Sequence, residues 1–251
     1  MKQTLLISWI TVRELIHERV LYLLVVFAGA SLIIALLLGQ ITYAEQIKLS
    51  VDFMLAAMEI SMVLFSIFMG TSLFHREMLL GTVAMVLSKP IRRSQFLIGK
   101  FLGQCVIQWG VVSAMGLLAA LITLRFETSN YIAPILQTTF MVGLETTLIA
   151  SVVYFFAANT GELLTAVGSL CVFVLGHLQE AFPTRGPLRV LGLVFKSVVP
   201  NLDILNTKPL ASYGLLADFT IVAIAIAYTT VCVLFFLTCS ILIFDRKDIL
   251  T

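Results

Sequence analysis

Phe74-His-Arg-Glu-Met-Leu-Leu-Gly-Thr-Val-Ala-Met-Val-Leu-Ser-Lys-Pro-Ile-Arg-Arg-Ser-Gln-Phe-Leu-Ile-Gly-Lys-Phe-Leu-Gly103 is a short, basic, proline-interrupted segment between two long apolar runs. Upstream, Phe53–Phe74 carries one charge, Glu59; downstream, Phe101–Leu124 carries none. A hydrocarbon core of about 30 Å takes about 20 apolar residues as a helix. Each run therefore reads as one crossing, and the quoted segment as the turn between them.

Four more runs follow the same pattern. Val20–Ala44, Leu163–Gln179 and Phe219–Phe244 have no charge, and Thr128–Gly161 has only Glu145. Hydrophobic residues make up 60% of the 251 and charged ones 12%, against about 25% charged in a soluble domain. Lipid offers the backbone no hydrogen bonds, so such runs must satisfy themselves as helices. They are too long, and too poor in alternating polar residues, for barrel strands. The expected fold is all-α and integral to the membrane, a single transmembrane domain over 1–251. Six transmembrane helices are expected at 20–39, 53–74, 99–124, 133–158, 162–182 and 218–244. The first run should persist as a helix, because Arg13, Glu14, His17, Glu18 and Arg19 before it do not form a cleaved signal.

With a cytoplasmic N-terminus, the inner side holds Lys2, Arg13, Arg19, Arg76, Lys89, Arg92, Arg93, Lys100, Arg246 and Lys247. The outer side holds Lys48, Arg125, Arg185, Arg189, Lys196 and Lys208, ten against six. The direction obeys the positive-inside rule. Residues 1–19 read as an amphipathic helix on the inner surface. Leu5, Trp9, Val12 and Ile16 form its apolar face, Thr4, Ser8, Thr11 and Glu18 the other, and Trp9 and Arg13 anchor it at the interface. Asn159-Thr-Gly is so short a link that the runs on either side must pack as an antiparallel pair, with Asn and Gly suited to a helix C-cap. The outer segment 183–217 holds Pro183, Pro187, Pro200 and Pro209, so it cannot be one helix. Leu188–Val199 within it reads as a short interfacial helix. The segment is an interfacial connector, or else an outer gate or a docking surface.

Within 75–98, Met78–Leu87 can form a short helix that Lys89-Pro90 ends. The order Glu77, Gly81-Thr82, Leu87-Ser88-Lys89-Pro90, Arg92-Arg93, Phe96-Leu97, Gly99-Lys100-Phe101 resembles permeases of the type-2 ABC exporter family. Its nearest flavour is the short-looped subgroup of nitrous-oxide-reductase maturation and gliding motility. The resemblance implies a cytoplasmic interfacial helix, six spans, a coupling helix between spans two and three, and short outer helices between spans five and six. It implies a non-catalytic subunit of the bacterial cytoplasmic membrane, with both termini cytoplasmic. Two permeases, identical or different, would work with two cytosolic ATPases that bind ATP and Mg. The coupling contacts would come from Glu77, Gly81, Thr82, Ser88, Lys89, Pro90, Arg92 and Arg93. Membrane lipid is a further partner, an extracytoplasmic protein could dock on 183–217, and no nucleic-acid partner is expected. The residues agree that this chain holds no nucleotide: Ile98-Gly99-Lys100-Phe101 lacks the leading glycine and the hydroxyl of a phosphate loop.

Glu59 and Glu145 are the intramembrane ionisable residues, and an ionised group at the bilayer centre costs about 2.5–3.5 kcal/mol on insertion scales. Each is either a polar contact or cation relay in a cavity, or a protonated acid bonded to neighbouring Thr or backbone groups. Glu59 could also reach the outer interface. His177 reads as a packing or interfacial residue, Cys105, Cys171, Cys232 and Cys239 as small packing residues, and no metal or catalytic site is expected. An intramembrane enzyme lacks its motifs here. An ATP-independent transporter or channel is the main alternative, and a non-transporting scaffold a minor one.

Overall fold

A computed structural model describes residues 2–40, 46–79, 93–124, 129–179 and 199–246. Among these there is no strand. The helices are α1 (Lys2–Ile16), α2 (Arg19–Gln40), α3 (Gln46–Leu79), α4 (Arg93–Leu124), α5 (Ile132–Asn159), α6 (Glu162–His177), α7 (Lys208–Ser212) and α8 (Phe219–Arg246). Single 3-10 turns lie at Ser129–Tyr131 and Asp203–Leu205.

Among the described residues, four helical stretches are long and apolar enough to cross a membrane: Ile47–His75, Ser94–Leu124, Ile132–Asn159 and Phe219–Asp245. α6 is apolar but has only 16 residues, about 24 Å at 1.5 Å each. α2 has 22 residues and an apolar sequence. Of the six expected spans, four fall on helices long enough to cross, and α2 and α6 are further apolar helices. α3 and α4 run past their apolar stretches. α3 starts at Gln46 and continues to Leu79, and α4 starts at Arg93, so 80–92 joins them where the sequence suggested 75–98.

α5 is the central helix. It packs against α3, α4, α6 and α8, and 72% of its most apolar window is buried, against 17% for α8. Its buried face is rich in small residues, among them Gly143, Ala150, Ser151, Ala157 and Ala158. Lipid gives apolar side chains no reason to associate, so close packing of small residues and interhelical hydrogen bonds must do it. Ser66 Oγ (α3) donates to Thr146 O (α5) at 3.2 Å, and Gln104 Nε2 (α4) donates to Ser66 O at 3.0 Å. Trp109 Nε1 donates to Thr147 Oγ1 at 3.1 Å, and Ser240 Oγ (α8) to Tyr154 O at 3.0 Å.

At the end where α3 finishes, the rings of Phe74 and Phe244 meet at 5.7 Å. His75 also sits there, its Nδ1 3.1 Å from Thr71 O and its Nε2 3.0 Å from Thr160 O. The α5–α6 link differs from expectation. Thr160 is the C-cap in extended conformation, and Gly161, at φ −78°, is the N-cap of α6, so no left-handed cap forms. The Thr160 N–H and hydroxyl both turn back to Phe156 O, which terminates α5 without help from glycine.

At the opposite end, Val199–Ala217 is stapled to the bundle. Gln137 clamps the backbone of Ala217, accepting from its N–H and donating to its carbonyl, both at 2.9 Å. The Asn201 N–H donates to Tyr228 Oη at 2.6 Å, and Thr138 and Thr207 hydroxyls meet at 3.0 Å. Pro209 falls in the first turn of α7, where a missing N–H costs nothing. Gly214 at φ 70° closes α7, with Leu215 N–H bonded to Leu210 O and Gly214 N–H to Ala211 O. The helix expected over Leu188–Val199 lies almost wholly outside the described residues; Val199 itself is a bend.

Candidate functional site

A helix, α1, forms over the N-terminal residues where one was expected. Ile7, Ser8, Thr11 and Leu15 are buried, while Leu5, Leu6, Trp9, Ile10 and Ile16 are exposed. The small polar side pairs with α4 instead of facing water. Gly99 and Gly103, four residues apart, let α4 approach so closely that a Cβ on Gly103 would lie 2.6 Å from Thr11 Cβ and 2.9 Å from Ser8 O. Lys100 between them is 5% exposed and reaches Glu14 at 2.8 Å. Trp9 and Arg13 stay on the outer face of α1, with the guanidinium 5.8 Å from the indole.

Of the residues expected to make coupling contacts, Gly81, Thr82, Ser88, Lys89, Pro90 and Arg92 lie outside the described residues. Glu77 falls in the last turns of α3 and Arg93 opens α4. What is described is their frame: His75 and Phe74, just before Glu77, fasten the end of α3 to the α5–α6 link and to α8.

The densest chemistry lies at the opposite end. Glu59 sits on the α3 face that also buries Leu55, Met58 and Met62. It is 3% exposed. Glu145, mid-way along α5, is 1% exposed. Neither adjacent threonine serves it. The Thr146 and Thr147 hydroxyls donate to carbonyls of their own helix, at Val142 and Gly143, and Glu145 Oε1 has no hydrogen-bond partner. His177, the last residue of α6, brings Nε2 to 3.1 Å from Glu59 Oε1 and 3.5 Å from Glu145 Oε1. These are ion-pair distances without hydrogen-bond alignment, since Nε2 is also without a hydrogen-bond partner. Lys208, opening α7, places its ammonium on Glu59 Oε2. Asp203 adds an acidic group within electrostatic reach of Glu145. Burial pushes the Lys208 ammonium down to about 8, against the Asp52 carboxylate, which holds it up. Lys208 thus brings a basic group against Glu59 from outside the long spans.

The structure thus joins Glu59 and Glu145, which the sequence singled out separately, through two residues it did not. His177 is no mere packing residue, and Lys208, counted among the outer basic residues, is spent on an internal pair. No local pattern could have revealed either, because α3, α5, α6 and α7 meet only in the folded chain. One ligand atom each from Glu59, Glu145 and His177 lies within 4.8 Å of the others.

Residues 6–175 match the family described as ABC-2 family transporter protein. The match spans more than half of the chain, so the chain belongs to that family. No curated protein matches it. Membership and the apolar helices together make it a multi-pass membrane protein, the permease component of an ABC transporter, in a family that associates with an ABC ATPase.

Proposed function

We propose that the chain is the membrane-spanning subunit of an ATP-driven exporter, switching a cavity from inner to outer access when a separate cytosolic ATPase closes. The observation that carries this is the family match over residues 6–175. The quoted loop supports it at sequence level, and its resemblance extends the reading to the type-2 exporter permeases and their short-looped subgroup. ATP and Mg act on the partner ATPase, and this chain contributes no catalytic residue. The segment carrying Glu77, Gly81, Thr82, Ser88, Lys89, Pro90, Arg92 and Arg93 seats in the ATPase. Arg92 and Arg93 pair with acidic residues there and Glu77 with a basic one; pairs of this kind chiefly set orientation and encounter rate.

The mechanical argument rests on what the segment is fastened to. A push on 80–92 acts directly on the ends of α3 and α4. His75 passes it to the α5–α6 link, and Phe74 to the end of α8. Rocking of packed helices is an established route for such switching. The working unit contains a second permease copy, identical or different, in a bacterial cytoplasmic membrane with both termini inside. The exposed apolar side of α8, with Ile224, Val231, Leu234, Phe235 and Leu242, faces lipid or that copy. An extracytoplasmic partner would meet the segment 183–217.

The test is co-purification from native membranes in mild detergent, with ATP hydrolysis assayed beside a variant carrying Pro90→Ala, Arg92→Ala and Arg93→Ala. An ATPase that accompanies the wild type, and is lost or uncoupled in the variant, is the expected result. A chain that purifies alone across several mild detergents favours the ATP-independent transporter, for which the buried Glu59–His177–Glu145 centre is the specific attraction.

A further inference from the structure

We propose that Glu59, Glu145 and His177 form a binding site for a divalent transition-metal ion of the zinc type, joining α3, α5 and α6. The inference does not depend on the exporter reading, and metal is measured directly, so either can fail alone.

The first argument is the direction of the imidazole. Its Nδ1 lies 3.3 Å from Phe173 O. A carbonyl can only accept, so the hydrogen is on Nδ1, and in the neutral ring the Nε2 lone pair then points into the cluster. Nε2 therefore faces carboxylate oxygens at 3.1 and 3.5 Å with no hydrogen bond made. Lone pairs so arranged repel unless a proton or a metal cation lies between them. A histidine held by a backbone carbonyl through its other nitrogen is how metal-binding imidazoles are commonly oriented.

Spacing is the second argument. Zinc bonds of about 2.0–2.1 Å in tetrahedral geometry separate neighbouring ligand atoms by about 3.3 Å. The two separations from His177 bracket that value, and the three ligand atoms lie within 4.8 Å of one another. The third observation is Glu145 itself, 1% exposed, with Oε1 directed at His177 and without a hydrogen-bond partner. A fully buried carboxylate oxygen left so is rare and costly.

Charge agrees. Among the described residues, the Lys208 ammonium lies on Glu59 and Asp203 lies within electrostatic reach of Glu145, so acidic groups gather around the site. Lys208 occupies Oε2 of Glu59 and leaves Oε1 directed at His177, so it orients the carboxylate without blocking the site. The donor set selects the metal class. One imidazole with two carboxylates suits zinc, cobalt or manganese; calcium and magnesium prefer oxygen alone, and copper(I) prefers sulfur, which is absent from the set.

The experiment uses the full chain in mild detergent, its affinity tag removed, stripped with chelator and titrated with Co²⁺. One Co²⁺ per chain is expected, with the visible absorption of a tetrahedral site, displaced by Zn²⁺. His177→Gln and Glu145→Gln should each weaken Co²⁺ binding by more than about 100-fold, beyond what loss of a supporting group costs. His17→Gln and His75→Gln, the other two histidines, should leave it unchanged. Absence of a tetrahedral Co²⁺ spectrum in the wild type overturns the proposal whatever the variants do. A spectrum that survives His177→Gln, or is lost in His17→Gln, overturns it as well.

Discussion

Lys208, the first residue of α7, sets its ammonium on Glu59 in α3, 149 residues away in sequence. The contact holds the Val199–Ala217 segment to a helix of the central packing. Removing one partner of a buried pair leaves an uncompensated charge, which costs about 3–5 kcal/mol. Because the Lys208 side chain keeps 17% of its surface exposed, about 3 kcal/mol is expected for Lys208→Met, and a similar loss for Glu59→Gln. The double variant should lose distinctly less than the sum. Chemical unfolding in mixed micelles measures all three. Additive losses would mean that the two groups do not interact.

α1 is held to α4 by shape. With Thr11 Cβ at 2.6 Å and Ser8 O at 2.9 Å from a Cβ at position 103, Gly103→Ala must push the helices apart. Overpacking of this kind costs about 1–3 kcal/mol. Trimming Thr11 to Gly should not restore stability, because the Ser8 carbonyl belongs to the backbone. Gly110→Ala on the same helix, where nothing lies within 4 Å, should change stability by no more than about 0.5 kcal/mol. Thermal unfolding of the three variants in detergent decides it; equal behaviour of positions 103 and 110 would rule out tight docking of α1.

Hydropathy made the helices legible because lipid leaves the backbone no other solution, but it located apolar runs, not helix ends. The expected second span is 53–74, yet Gln46–Asp52 and His75–Leu79 continue α3, since a helix does not end where an apolar run does. On α1 the apolar residues Leu5, Trp9 and Ile16 lie exposed on one side, while the polarity of Ser8 and Thr11 on the other gave no sign that their small size packs them against Gly99 and Gly103. Glu59 and Glu145 stood out by the cost of charge in lipid. His177 and Lys208 did not, because their partners come from other helices and no spacing along the chain encodes the meeting.

Gly176 decides where His177 sits. The Leu202 N–H donates to Gly176 O at 3.3 Å, and a Cβ on Gly176 would fall 2.7 Å from Leu202 Cγ and 2.9 Å from Pro200 O. Pro200–Leu202 can lie across the end of α6 only because that side chain is missing. Gly176→Ala should therefore displace the last turn of α6, costing about 1–3 kcal/mol, and weaken Co²⁺ binding without touching a ligand. Adding Leu202→Ala would remove the side-chain clash but not the carbonyl, and would open a cavity at a fully buried leucine, itself worth about 2–5 kcal/mol. The double variant should thus be no more stable than Gly176→Ala alone. Gly161→Ala, at the other end of α6 with nothing within 4 Å, supplies the contrast and should retain both stability and Co²⁺ binding. If Gly176→Ala behaves like Gly161→Ala in both measurements, packing against Leu202 is not what positions the histidine.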